Sequence, residues 1–248
     1  NQDAWLGLCD YGAFGFDEFI DGAGDKGSWL FDRPTALYRG YVQTGDQPTL
    51  ASAYKEASMY RAGLAVSGGV ASGIAVPGAS DDLKYYYAQG MALHYLLTGD
   101  DRYREAAEAV AARAHQLWDD PGYAGGDDFW TERHAGFALL AFEWAAMVSD
   151  DRAVEFAGYA DAAAQAYIDI QNGADTCFVH SATAHGEDYG YDGCSPWMSA
   201  IIADGLDTYA RRMVLVDAAR AESARESLVR LGRAIERAFH HLTNEIDC

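Results

Sequence analysis

Three short turns, Thr44-Gly45-Asp46, Thr98-Gly99-Asp100 and Val148-Ser149-Asp150, recur about 50 residues apart, each between two helix-like runs. Glycine closes a helix because it reaches the left-handed conformation without a Cβ clash. The aspartate then caps the next helix by accepting a backbone N–H bond. A weaker fourth copy lies at Val216-Asp217. A repeat of this length predicts an array of helical hairpins in which each apolar stripe is buried by its neighbours.

The hairpins are expected at about 32–66, 82–118, 130–171 and 196–242, after an irregular Gly- and aromatic-rich lead-in over 1–31. The whole chain, 1–248, reads as a single domain. Second members of the hairpins are Ala-rich with one charged face, whereas first members such as 91–97 and 137–142 are apolar nearly all round. Greasy helices inside and Ala-rich helices outside define an all-α fold of the α/α-toroid kind, incomplete or open with four hairpins. Helices of about 16 residues would span ~24 Å. The broken apolar run from Gly63 to Gly78 is expected to be a Gly-rich loop between hairpins, too interrupted to cross a bilayer.

The loops leading into the inner helices are long and chemically loaded, unlike the tight closing turns. Parallel inner helices would bring all of these loops to one rim, the place where a rigid scaffold holds functional groups. They carry Asp32, Asp81, Asp82, Glu132, Glu187, Asp188 and Asp192, the donors Arg33, Lys84, Arg133, His134 and His185, and the aromatics Tyr85, Tyr86, Trp130, Tyr189, Tyr191 and Trp197. His180 lies just upstream of the last group. Aromatic walls with carboxylates and forked donors between them suit a carbohydrate. Asp32, Asp81 and Asp128 also stand where helix N-caps belong, and Ser195-Pro196 reads as a cap followed by a helix-starting proline. His94, among apolar neighbours, reads as a hydrogen-bonded core histidine.

The stretch Tyr86–Ala107 and its hairpin counterparts resemble the α/α-toroid carbohydrate-active enzymes, glycoside hydrolases and polysaccharide lyases. The likeness is one of architecture over about 200 residues. It carries over no catalytic motif, and those barrels usually hold more hairpins than the four found here. It implies an oligo- or polysaccharide substrate.

On this reading the leading expectation is a glycoside hydrolase with Glu132 or Glu187 as acid and Asp82 or Asp188 as base. Carboxylates ~5 Å or ~6.5–9.5 Å apart would set retention or inversion. Phe129 and Trp130 could desolvate Glu132 and raise its pKa, while the helix N-terminus pulls the other way. Arg33, Lys84 and Arg133 would position hydroxyls, Trp130 and Trp197 would form sugar platforms, and Asp32, Tyr85, Tyr86 and Tyr191 would complete the substrate-binding set. The alternative is a lyase acting on a uronate polymer, with Tyr189 or Tyr191, His134 or His185, and Arg133. A second alternative is a helical-repeat binding module without catalysis. No cofactor is expected; Asp188 and Asp192, with Glu187, form a weak calcium candidate, and His180, His185 and Cys194 a weaker zinc one.

The formal charge of −20, from 38 acidic against 18 basic residues, sets the chain against nucleic acid and anionic lipid. It begins at Asn1 with no basic, apolar leader, which suggests an exported product whose signal has been removed. Of the four cysteines, Cys177 and Cys194 bracket a His- and Gly-rich loop, and Cys9 and Cys248 lie near the ends. A loop clip plus an end-to-end staple predicts a secreted or periplasmic location, and the clip would stabilise by about 3 kcal/mol.

Overall fold

Asp32 opens the first helix by accepting the Thr35 N–H at 3.1 Å. Pro34 fits the first turn, where helical N–H groups have no partner anyway. This helix, α1 (Arg33–Thr44), closes on Gly45, whose φ of 71° lets its N–H reach Tyr41 O. The computed structural model describes residues 29, 31–118, 131–171, 176–180, 182 and 193–245, with the side chains of the final helix as far as Arg237. The described part is mostly helical, with eight α-helices and one small sheet. After α1 come α2 (Gln47–Gly63), β1 (Leu64–Ser67), β2 (Val70–Ile74), a 3-10 turn (Leu83–Tyr85), α3 (Gln89–Thr98) and α4 (Asp101–Leu117). Then follow α5 (Glu132–Val148), α6 (Ala153–Gln171), α7 (Pro196–Met213) and α8 (Ala218–Glu245).

The expected helical pairs are therefore present. Gly99 repeats the Gly45 turn with φ 70°, and Asp46, Asp100 and Asp217 cap the helices that follow them. The third turn differs: Ser149 stays at φ −66°, and its hydroxyl, not Asp150, accepts the Arg152 N–H at 2.9 Å. The second hairpin starts later than expected. Asp82 caps only the 3-10 turn, accepting the Lys84 N–H, and α3 begins at Gln89. The expected loop between Gly63 and Gly78 contains an antiparallel β-hairpin, with Ser67 paired to Val70 around Gly68-Gly69. Both glycines have positive φ, 59° and 76°, as a two-residue hairpin turn demands.

The chain divides into two compact units between Arg113 and Ala114. In the first, α1 packs on α2 and α3. Asp32, at the start of α1, accepts the Gly90 N–H at the start of α3, and Tyr38 further along α1 meets His94 further along α3. The two helices therefore run parallel. Gly90 is obligatory at this join, because a Cβ would lie 2.5 Å from Asp32 Oδ1.

In the second unit α5 packs on α6 and α7, and α8 on α6 and α7. Helix α5 is buried on nearly every side, from Glu132 to Val148, as its composition foretold. Paired positions advance together along α5 and α7: Gly136 against Ile201, Leu139 against Gly205, Glu143 against Arg212. These helices also run parallel. So do the Ala-rich α6 and α8, joined by Arg220–Asp161 and Arg230–Gln171. The first helices were expected to be buried on most sides, as α5 is, whereas the last turn of α3 leaves Leu96 and Leu97 about half exposed. No described helix is long and apolar enough to cross a membrane.

Candidate functional site

At the shared start of α5 and α7 a glutamate joins three segments. Glu132, at the first position of α5, has no exposed surface. Its Oε1 accepts the Ser195 N–H at 2.8 Å, and its Oε2 lies 2.7 Å from His180 Nδ1. Ser195 is the N-cap residue of α7, with Pro196 at its first turn; the cap position matches expectation, but its hydroxyl makes no capping bond. His180 and Gly193 exchange backbone hydrogen bonds as an isolated antiparallel bridge. The Cys177–Cys194 disulfide clips the base of this bridge, as the cysteine spacing suggested.

Burial raises the Glu132 pKa, and the Ser195 N–H and His180 oppose that rise only in part. An ionised Glu132 favours the His180 tautomer with hydrogen on Nδ1. The first unit repeats the clasp without the histidine. Asp32 joins two helix starts through the Thr35 and Gly90 N–H groups, and its pKa too is raised by burial.

Beside Glu132, Arg133 holds its guanidinium 5.6 Å from the centre of the Trp197 ring, and Trp197 is 56% exposed. Among the described residues Arg133 has no carboxylate partner, and its Nε, shut off from water, donates to nothing. His134 serves the helix end: its Nδ1 accepts the Thr131 N–H at 3.0 Å.

In the first unit several of the expected site residues have partners within the fold. Arg33 is fully buried, paired to Glu56 at 2.9 Å and stacked on Trp29, so a hydroxyl-holding role does not fit its position. Asp82 pairs with Lys84 at 2.6 Å, and Lys84 lies over the Tyr85 ring. Asp81, expected as a cap, instead takes the Tyr86 hydroxyl and the Arg113 guanidinium. Burial and Asp81 push the Tyr86 pKa up to about 12. His94 is the core histidine expected, 2.5 Å from the Tyr38 hydroxyl and packed at a tilt against the Tyr103 ring.

Trp130, His185, Glu187, Asp188, Tyr189, Tyr191 and Asp192, and with them the calcium candidate, lie outside the described residues, as do Asp128, Cys9 and Cys248. The zinc candidate is overturned, because Cys194 is half of a disulfide and has no thiolate to offer. Two features had escaped the sequence reading. His180 as the partner of Glu132 is one; its only clue was its position inside the Cys177–Cys194 bracket. The other is Glu143, buried in α5, where Arg212 grips it through three hydrogen bonds of 2.9–3.1 Å and also reaches Asp161. A lone acidic residue in an apolar helix was the available signal.

Comparison with protein-family models, with curated proteins and with solved structures finds no significant match to this chain.

Proposed function

We propose that the chain is a secreted carbohydrate-active enzyme of the α/α-toroid kind, a glycoside hydrolase that transfers protons through His180. One observation carries this reading: the buried Glu132–His180 contact of 2.7 Å at the common start of two parallel helices. Glu132 has both oxygens engaged and no exposed surface, so it acts as a positioning residue rather than touching the sugar. Its carboxylate orients the imidazole and stabilises the imidazolium. Protonated His180 gives its Nε2 proton to the leaving glycosidic oxygen, and water supplies the hydroxyl to the anomeric carbon. Glu187 or Asp188 is the carboxylate proposed to activate that water. The exposed Trp197 is a sugar platform. The formed disulfide and the strongly acidic composition fit an oxidising, extracytoplasmic setting.

A second reading is favoured by the chemistry of the pair itself. The acid–base atom is an imidazole nitrogen rather than a carboxylate, which suits proton abstraction beside a uronate carboxylate and β-elimination. The test is incubation of the chain with a panel of neutral and acidic polysaccharides. Hydrolysis predicts new reducing ends without ultraviolet absorbance, whereas elimination adds a conjugated, absorbing product. His180→Asn should lower kcat/KM by about 10²–10⁴-fold with the helical circular dichroism intact. Full activity in that variant, or no product from any glycan, overturns the proposal.

A further inference from the structure

We infer that Arg133 and Trp197 form one subsite for a sugar ring that bears a carboxylate, so that the glycan contains uronate units. The inference deepens the glycan-active reading above and rests on it. Its starting point is an imbalance. Acidic residues outnumber basic ones 38 to 18, so carboxylate partners for arginine are plentiful in this chain. Arg33, Arg102, Arg113, Arg152, Arg212 and Arg220 each hold one. Arg133 holds none among the described residues.

Its surroundings make that vacancy informative. The Nε is closed off from solvent and so from a ligand as well, which leaves the terminal amino groups of the fork to meet an acceptor. Its guanidinium lies 5.6 Å from the centre of the indole of Trp197, which keeps the fork in place. Trp197 is 56% exposed, so ring surface remains for a ligand. A planar fork held beside an aromatic face matches a uronate well. The apolar C–H face of the sugar lies on the indole, and the ring carboxylate takes two parallel N–H bonds. A neutral hexose offers the same face but only a hydroxyl to the fork. Arg133 adjoins Glu132 in the chain, and Trp197 lies two residues beyond Ser195, so the subsite borders the Glu132–His180 pair.

The experiment is calorimetric titration of the full chain with a uronate oligomer and with the neutral hexose oligomer of the same linkage, repeated over several linkages. The unaltered chain should bind uronate about 10- to 100-fold more tightly than its neutral counterpart. Arg133→Gln should erase that preference, Arg133→Lys should restore part of it, and Trp197→Ala should weaken both ligands alike. Thermal melts accompany each variant. If the unaltered chain binds both oligomers equally, or Arg133→Gln keeps the uronate preference, the subsite is wrong while the glycan reading stands. If Arg133→Gln lowers the melting temperature and leaves the preference unchanged, Arg133 serves an internal partner such as Glu187 or Asp188, and the inference fails. If no oligomer of either class binds, the glycan reading itself fails.

Discussion

Replacing Gly136 by alanine tests the parallel seam between α5 and α7. A Cβ at this position would lie 2.6 Å from the Ile201 carbonyl carbon and 2.7 Å from both Ile201 Cγ2 and the Ile202 nitrogen. Two of these three atoms are backbone, so rotating a side chain cannot relieve the clash. Restoring ordinary contact needs the helices to part by about 0.8 Å, which also forfeits dispersion contact along the seam. Leu139 against Gly205, the next close pair, would loosen with it. Overpacking of this kind costs about 1–3 kcal/mol. For a chain of this size that corresponds to a fall in Tm of roughly 2–12 °C. The control is Gly158→Ala on the exposed side of α6, where a Cβ meets nothing within 4 Å. Helix propensity alone should make that variant about 0.4–1 kcal/mol more stable. Urea unfolding of both variants, read by circular dichroism, gives the two differences directly. A Gly136→Ala chain as stable as the parent would refute the close parallel approach.

Other outcomes follow from the charges and the disulfide. Arg212→Ala strands the buried Glu143 carboxylate and should cost about 3–5 kcal/mol at neutral pH. Burial already raises the Glu143 pKa, so its contribution to stability is full below the unfolded pKa and is lost as pH rises through the folded one. Without Arg212 that rise grows, and urea melts should show the deficit largest at neutral pH and shrinking in acid; a deficit independent of pH contradicts the assignment. Reducing Cys177–Cys194 should cost about 3 kcal/mol in the same melts. It should also lower turnover, because the bridge that carries His180 loses its clip. Turnover unchanged by complete reduction would separate the disulfide from the site.

Much of the secondary structure was legible because its signals are local. Gly45 and Gly99 end their helices, Asp46, Asp100 and Asp217 begin the next, and each does so through atoms only a few residues away. Ser149 broke the pattern because a serine hydroxyl caps about as well as an aspartate carboxylate. The β-hairpin could have been read. Gly68-Gly69 stands between two short apolar runs, Leu64–Ser67 and Val70–Ile74, a hairpin signal that the same glycines obscure by interrupting the apolar stretch. The site was legible in part. Glu132 stood out as an acid at the start of an apolar helix, yet its partners lie 48 and 63 residues away, beyond any local pattern. Nothing in the spacing around Arg33 foretold that Glu56 would pair with it in the interior. Pairings of this kind depend on how helices meet, which composition alone does not encode.

A double-mutant cycle on Glu132 and His180, read as kcat/KM on whichever glycan of the panel yields product, tests the proposed acid–base pair most directly. If the carboxylate acts only through the imidazole, Glu132→Gln and His180→Asn together should cost no more than His180→Asn alone. Losses that multiply, or a Glu132→Gln chain with undiminished kcat/KM, would mean that the two side chains work apart and that the contact between them serves the fold alone.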